Sequence, residues 1–195
     1  MNGPLEIPLF PLGTVLFPGG PLPLRIFETR YIDLVRRCLR EESGFGVVLI
    51  REGVEAGGPA ATFDVGTYAR IVDFSQQPDG LLGIRAEGER RFRIVGRRRA
   101  RDGLNLADVE WLAEETRQPL PEEFADLAPA LDAILTQAGD PYGSLERHLD
   151  DAAWVSGRLA EILPVPAGHK QHCLELDDPV ERLRYLRPMF EIRFQ

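Results

Sequence analysis

Proline and glycine repeatedly interrupt the apolar run LEIPLFPLGTVLFPGGPLPLRIFETRYIDLVRRCL at residues 5–39, and this limits what the chain can fold into. Pro8, Pro11, Pro18, Pro21 and Pro23 each remove a backbone donor, so the segment can form only short edge strands and turns whose apolar side chains are set into a larger body. A membrane span needs about 20 uninterrupted apolar residues, and an export signal a basic head before its apolar core. The run has neither. It passes directly into a helical stripe, Tyr31, Leu34, Val35, Cys38 and Leu39, with Thr29 read as the cap and Gly44 as the stop.

The pattern then turns to strands. FGVVLI (45–50) reads as a short buried strand, followed by the polar, Gly-rich loop REGVEAGGPAATFDVG. Residues 67–75 (TYARIVDFS), the turn QPDG (77–80), and then LLGIRAE, RRFRIVGRR and LNLADVEW read as β structure, with turns at Gly88 and at Asp102-Gly103. In the last segment the apolar set shifts from Leu104/Leu106 to Val109/Trp111, which asks for a bulge near Ala107 if both pairs face one core. Short, bent strands around one helix point to a partly closed barrel. After Trp111, TRQPLPEE reads as a linker, and Phe124, Leu127, Ala128, Leu131, Ile134 and Leu135 form a helical stripe. A second helix is expected over 144–163, and Asp178-Pro179-Val180-Glu181 is a third start. The expected class is α+β, with a β-rich domain over 1–115 and a helical bundle over 116–195.

Net charge is −8 with a pI near 5.0, which argues against a general attraction to nucleic acid or anionic lipid. Locally the balance reverses, because Arg85, Arg90, Arg91, Arg93, Arg97, Arg98, Arg99 and Arg101 crowd into one segment. At alternating strand positions Arg91 and Arg93 read as an outer face opposite Phe92 and Ile94, partly paired with Glu87, Glu89 and Glu110. Without interleaved aromatics, an RNA surface there stands as the alternative reading. Cys38 and Cys173 are too few for a disulfide framework and are expected as buried thiols in a cytoplasmic protein.

PLFPLGTVLFPGGPLPLRIFETRY, GFGVVLIREG, VGTYARIVDFSQQPDGLLGIRAEGERRFRI and LELDDPVERLRYL occur in an order that resembles the amino-terminal domain of Lon proteases. More closely, they resemble the stand-alone bacterial proteins of the peptidase S16, Lon-domain type. A departure is Thr29, where the family pattern has Pro. The resemblance implies a PUA-like pseudo β-barrel followed by a helical bundle, and a role in recognising unfolded or degron-bearing polypeptides, with a separate protease or chaperone as a further partner. In cereblon, a eukaryotic relative, a similar β domain sits in a substrate receptor, which again implies binding rather than catalysis.

The residues give no support to an enzyme reading. Lys170 is the only lysine, and it lies between His169 and Gln171, so there is no Gly-Lys-Ser/Thr phosphate loop. Nor does Ser43, Ser75, Ser144 or Ser156 stand in the pattern of a Ser–Lys protease. The metal-like stretch HKQHC, even joined by His148, Asp150 and Asp151, reads better as bundle packing, with His172 and Cys173 inward and His169 and Lys170 in solvent. No catalytic residue, metal or cofactor is expected. The site expected instead is a shallow groove beside the Pro-broken strands: Phe17, Leu24 and Phe27 as apolar wall, Tyr31 at the lip, and Arg25, Glu28 and Arg30 as polar ends, with the three charges able to form a local clamp.

Overall fold

The structure, a computed structural model, describes residues 5–55 and 60–194, with side chains through residue 192. The chain divides into two compact units, Met1–Leu112 and Ala113–Gln195.

The first unit contains β1 (Leu5–Leu12), β2 (Pro21–Ile26), α1 (Thr29–Glu41), β3 (Gly44–Glu52), the two-residue β4 (Ala61–Thr62), β5 (Val65–Gln76), β6 (Leu82–Arg99) and β7 (Asn105–Trp111). Strand β1 runs parallel to β3 and antiparallel to β7. β7 pairs with β6, β6 with β5, and β5 with β3, so the five strands close a circuit. β6 is long enough that its first half takes β2 along the same edge where its second half takes β7. Register shifts at Tyr68/Ala69, Ile71/Asp73 and Ile94/Gly96 supply the bends that closure requires.

The strand readings need two corrections. The expected turn at Gly88 is absent, and β6 runs through it. Gly88 is required there because a Cβ would lie 2.3 Å from the Phe17 carbonyl oxygen, on backbone that cannot move aside. The expected bulge at Ala107 is on the partner strand, where Val95 is the extra residue between Ile94↔Val109 and Gly96↔Asp108. The apolar shift along β7 instead reflects two clusters. Leu104 and Leu106 join a core with Phe10, Tyr31, Leu34, Phe45 and Ile84, whereas Ala107 and Val109 pack with Ile7, Leu9, Phe92 and Ile94.

Helix α1 buries Tyr31, Leu34, Val35 and Cys38, as its spacing predicts, but leaves Leu39, the fifth residue of the expected stripe, 40% exposed at the end of the helix. Its cap position is Glu28 rather than Thr29, with no side-chain cap bond, and it stops at Glu42 in the left-handed region (φ 51°) rather than at Gly44, which already belongs to β3. The QPDG turn forms as expected: Gly80 takes φ 83° and donates to Gln77 O at 2.9 Å.

The second unit holds a single 3-10 turn (Glu122–Phe124), α2 (Leu127–Ala138), α3 (Ala152–Ile162), α4 (Ala167–Glu175) and α5 (Pro179–Phe194). The helix expected over 144–163 begins only at Ala152, because the Asp151 carboxylate accepts from Ala153 N at 3.1 Å and starts it there. Asp178 does the same for α5 through Val180 N at 2.9 Å, as read from the sequence. Leu127, Leu131, Leu135, Val155, Leu159, Leu183 and Leu186 are fully buried. Among them lies Arg182, 1% exposed, which pairs with Glu115 and donates to Cys173 O, Leu176 O and Ser156 Oγ.

Candidate functional site

Within the first unit, β1, β2, the start of α1 and the residue Glu55 surround a cavity of about 300 Å³. Its lining runs without a gap from Pro23 to Glu28, which a strand achieves only along an edge, and β2 pairs with β6 alone among the described strands. Phe10 and Leu12 come from β1, and Tyr31 from the first turn of α1. The Tyr31 ring stacks on Phe10 with centroids 4.0 Å apart and planes 12° apart, and the Arg30 guanidinium covers it at 4.7 Å. Burial of the ring raises the Tyr31 hydroxyl above its ordinary pKa, so it stays neutral. Phe27 stands at the mouth with 61% of its surface exposed, so its ring extends the apolar wall of the cavity toward solvent.

The polar rim is fixed by ion pairs. Arg30 donates to Glu28 Oε2 at 3.0 Å and to the Gly103 carbonyl at 3.1 Å, which holds Glu28 at the lip. Arg25 reaches the other way, to Asp79 in the β5–β6 turn. Glu55 accepts from the Gly13 N–H. A second cavity of about 420 Å³ adjoins across Pro23, Leu24 and Arg25, and includes Phe74, 60% exposed, from the β5–β6 hairpin.

Five of the residues singled out in the sequence, Leu24, Arg25, Phe27, Glu28 and Tyr31, line this one cavity. Phe17 does not: it is fully buried, and its position against Gly88 makes it core. Arg30 acts behind the lining, on Glu28 and on the Tyr31 ring. The expected three-residue clamp is therefore only Arg30–Glu28. Sequence reasoning missed Phe10, Leu12 and Glu55. The first two read as ordinary strand residues, and Glu55 lies in a segment with no periodicity.

Three arginines of the segment pair with carboxylates outside it: Arg85 with Asp73 of β5, Arg97 with Asp64 just before β5, and Arg98 with Glu6 of β1. Glu89 pairs with Arg70 rather than within the cluster. Arg91 is not on the outer face. The register shift just before it leaves Arg91 3% exposed while Arg93 stays outside.

In the second unit, His172 lies exposed against the Tyr185 ring at 4.5 Å, and His169 Nδ1 is 2.6 Å from the Tyr185 hydroxyl. Lys170 is half-buried, not in solvent, and donates to the Glu161 carbonyl at 2.5 Å; burial lowers its pKa. Asp150 is held by Arg117 and Asp151 caps α3, so neither is placed to complete a metal site with His169 and His172. Among the described residues no three His, Cys, Asp or Glu side chains are grouped to hold a metal ion. No described helix is long and apolar enough to cross a membrane.

Comparison with known proteins identifies the fold. A crystal structure of a Lon N-terminal domain protein from Xanthomonas campestris superposes with a TM-score of 0.77 at 41% identity, over 94% of this chain and 98% of that one. The N-terminal domain of the Mycobacterium avium complex Lon protease shares the fold at 16% identity and a TM-score of 0.65, over 97% of this chain and 100% of that one. The Lon proteases of Haemophilus influenzae and Escherichia coli K12 are 29% and 27% identical over 97% and 96% of this chain. The chain spans only 24% and 25% of their lengths. Residues 6–190 match the model of the ATP-dependent protease La (LON) substrate-binding domain, and the chain belongs to that family.

Proposed function

We propose that this chain is a non-catalytic polypeptide-binding module, a PUA-like pseudo-barrel with a helical bundle, that takes up unfolded or degron-bearing segments for a separate protease or chaperone. The observation that carries this reading is the cavity at the β2 edge. An exposed Phe27, a Phe10–Tyr31 stack and Leu24 form an apolar wall with charged ends, on a domain whose relatives carry the name substrate-binding. Such a surface takes extended apolar chain by side-chain insertion, weakly and with tolerance for sequence. Lys170, committed to a carbonyl, and the lack of a phosphate-loop sequence support the non-catalytic part.

The test is fluorescence anisotropy of a labelled, permanently unfolded polypeptide titrated with the protein, beside a labelled RNA, at two salt concentrations. Saturable polypeptide binding that survives salt and weakens about tenfold in Phe27→Asp, a change of roughly 1.4 kcal/mol, is the expected outcome. Absence of polypeptide binding, or binding indifferent to Phe27→Asp, overturns the reading. Salt-sensitive RNA binding in its place would shift the function to the arginine strands.

A further inference from the structure

The cavity's walls are apolar, and carboxylates outnumber guanidiniums in its lining two to one. Glu28, held by Arg30, and Glu55, which accepts from the Gly13 N–H, bring two carboxylates to the lining, and the one guanidinium among the described lining residues, Arg25, is engaged by Asp79. Behind them Arg30 is committed to Glu28 and the Gly103 carbonyl.

The β2 backbone adds to this bias. Gly88 N–H donates to the Gly20 carbonyl at 3.0 Å, and the register continues through Pro21↔Glu87 to Ile26↔Leu82. In an antiparallel ladder, bonded and non-bonded positions alternate. Leu22, Leu24 and Ile26 therefore exchange bonds with β6, while Pro21, Pro23 and Arg25 turn their backbone to the edge that no described strand pairs. Proline has no N–H. That edge thus presents three carbonyls and one donor, the Arg25 amide. An incoming chain cannot add to it as a regular strand, since alternating donors are required. Side chains must carry the recognition, and those that bring hydrogen-bond donors have the most to gain.

We propose that this groove, on the polypeptide-binding reading above, selects segments in which Lys or Arg flanks an inserted apolar side chain and disfavours those flanked by Asp or Glu. The apolar group fills the space between Phe10, Leu24 and Phe27. The neighbouring cation meets Glu28, Glu55 and the outward carbonyls. Charge complementarity of this kind contributes mainly to specificity.

Three labelled peptides with one apolar core, flanked by Arg, by Ser or by Glu, are titrated against the wild type, Glu28→Gln, Glu55→Gln and, as a control that is not part of the cavity lining, Glu122→Gln. The Arg-flanked peptide should bind about threefold to tenfold more tightly than the Ser-flanked one, as expected for one or two exposed ion pairs, and the Glu-flanked one more weakly still. Glu28→Gln and Glu55→Gln should each narrow that preference and Glu122→Gln should leave it intact. Should Glu28→Gln release Arg30 and disturb folding, the exposed Glu55→Gln carries the test alone. Equal affinities for all three peptides overturn the charge selection while leaving polypeptide binding standing. A preference that survives Glu55→Gln as fully as Glu122→Gln also overturns it, assigning the effect to the overall charge of −8. Failure of all three peptides to bind overturns both readings.

Discussion

Phe17 and Phe27 lie on the same Pro-broken run, and their substitutions should separate cleanly. Phe27 is 61% exposed and Phe17 fully buried. Phe17→Ala is expected to cost about 3–5 kcal/mol in urea unfolding, the usual loss for a core phenylalanine. Phe27→Asp should stay within about 0.5 kcal/mol of the wild type, so that its binding defect reads as a site effect. A run with neither a helical nor a strand period gives no signal that distinguishes a core phenylalanine from a groove phenylalanine, and for that reason both were legible as candidates but only one lines the site. Arg182 carries a second residue-scale expectation. Glu115→Ala removes the carboxylate from a guanidinium that is 1% exposed, and should destabilise by roughly 3 kcal/mol, whereas Arg182→Met with Glu115→Leu should recover much of the loss. Burial also raises the Cys173 thiol from an ordinary 9.0 to about 11. A raised folded-state pKa means the stabilisation is complete below pH 9 and lost as pH climbs through 11. Stability should therefore fall by on the order of 2 kcal/mol across that window, and Cys173→Ala should flatten the fall when unfolding is followed against pH.

At the scale of elements, β6 organises the first unit, because one strand serves β5 on one edge and both β2 and β7 on the other. Its continuity depends on Gly88. Gly88→Ala places a methyl group against the Phe17 carbonyl and should lower stability by about 1–3 kcal/mol, seen as an earlier thermal transition with the near-UV signal of the folded state reduced. The sequence displayed Gly88 as a break because glycine marks turns and bulges alike, and the close backbone that decides between them comes from residues 17–20, far away in sequence. The same limit explains β7: two clusters on one strand produce the same apolar shift as a bulge. Where a local rule acts alone the reading succeeded, as with four of the five α1 stripe residues, the QPDG turn and the Asp178 cap. The helix expected from Ser144 shows the converse, since Leu145 and Leu149 fit a stripe while Asp151 sets the true start.

For the whole molecule, family membership and the groove carry different parts of the account. The family match over residues 6–190 fixes the fold, and the placement of Phe10, Leu24, Phe27 and Tyr31 around one cavity is the observation on which the proposed polypeptide binding rests. The most direct measurement is a nuclear magnetic resonance titration of the isotope-labelled protein with the unfolded polypeptide, following backbone and aromatic signals. Shifts concentrated at Leu24, Phe27, Glu28 and Tyr31, saturating together, are the predicted result. Saturating shifts centred on Arg93, Arg97 and Arg99, or no shifts at all, would contradict it.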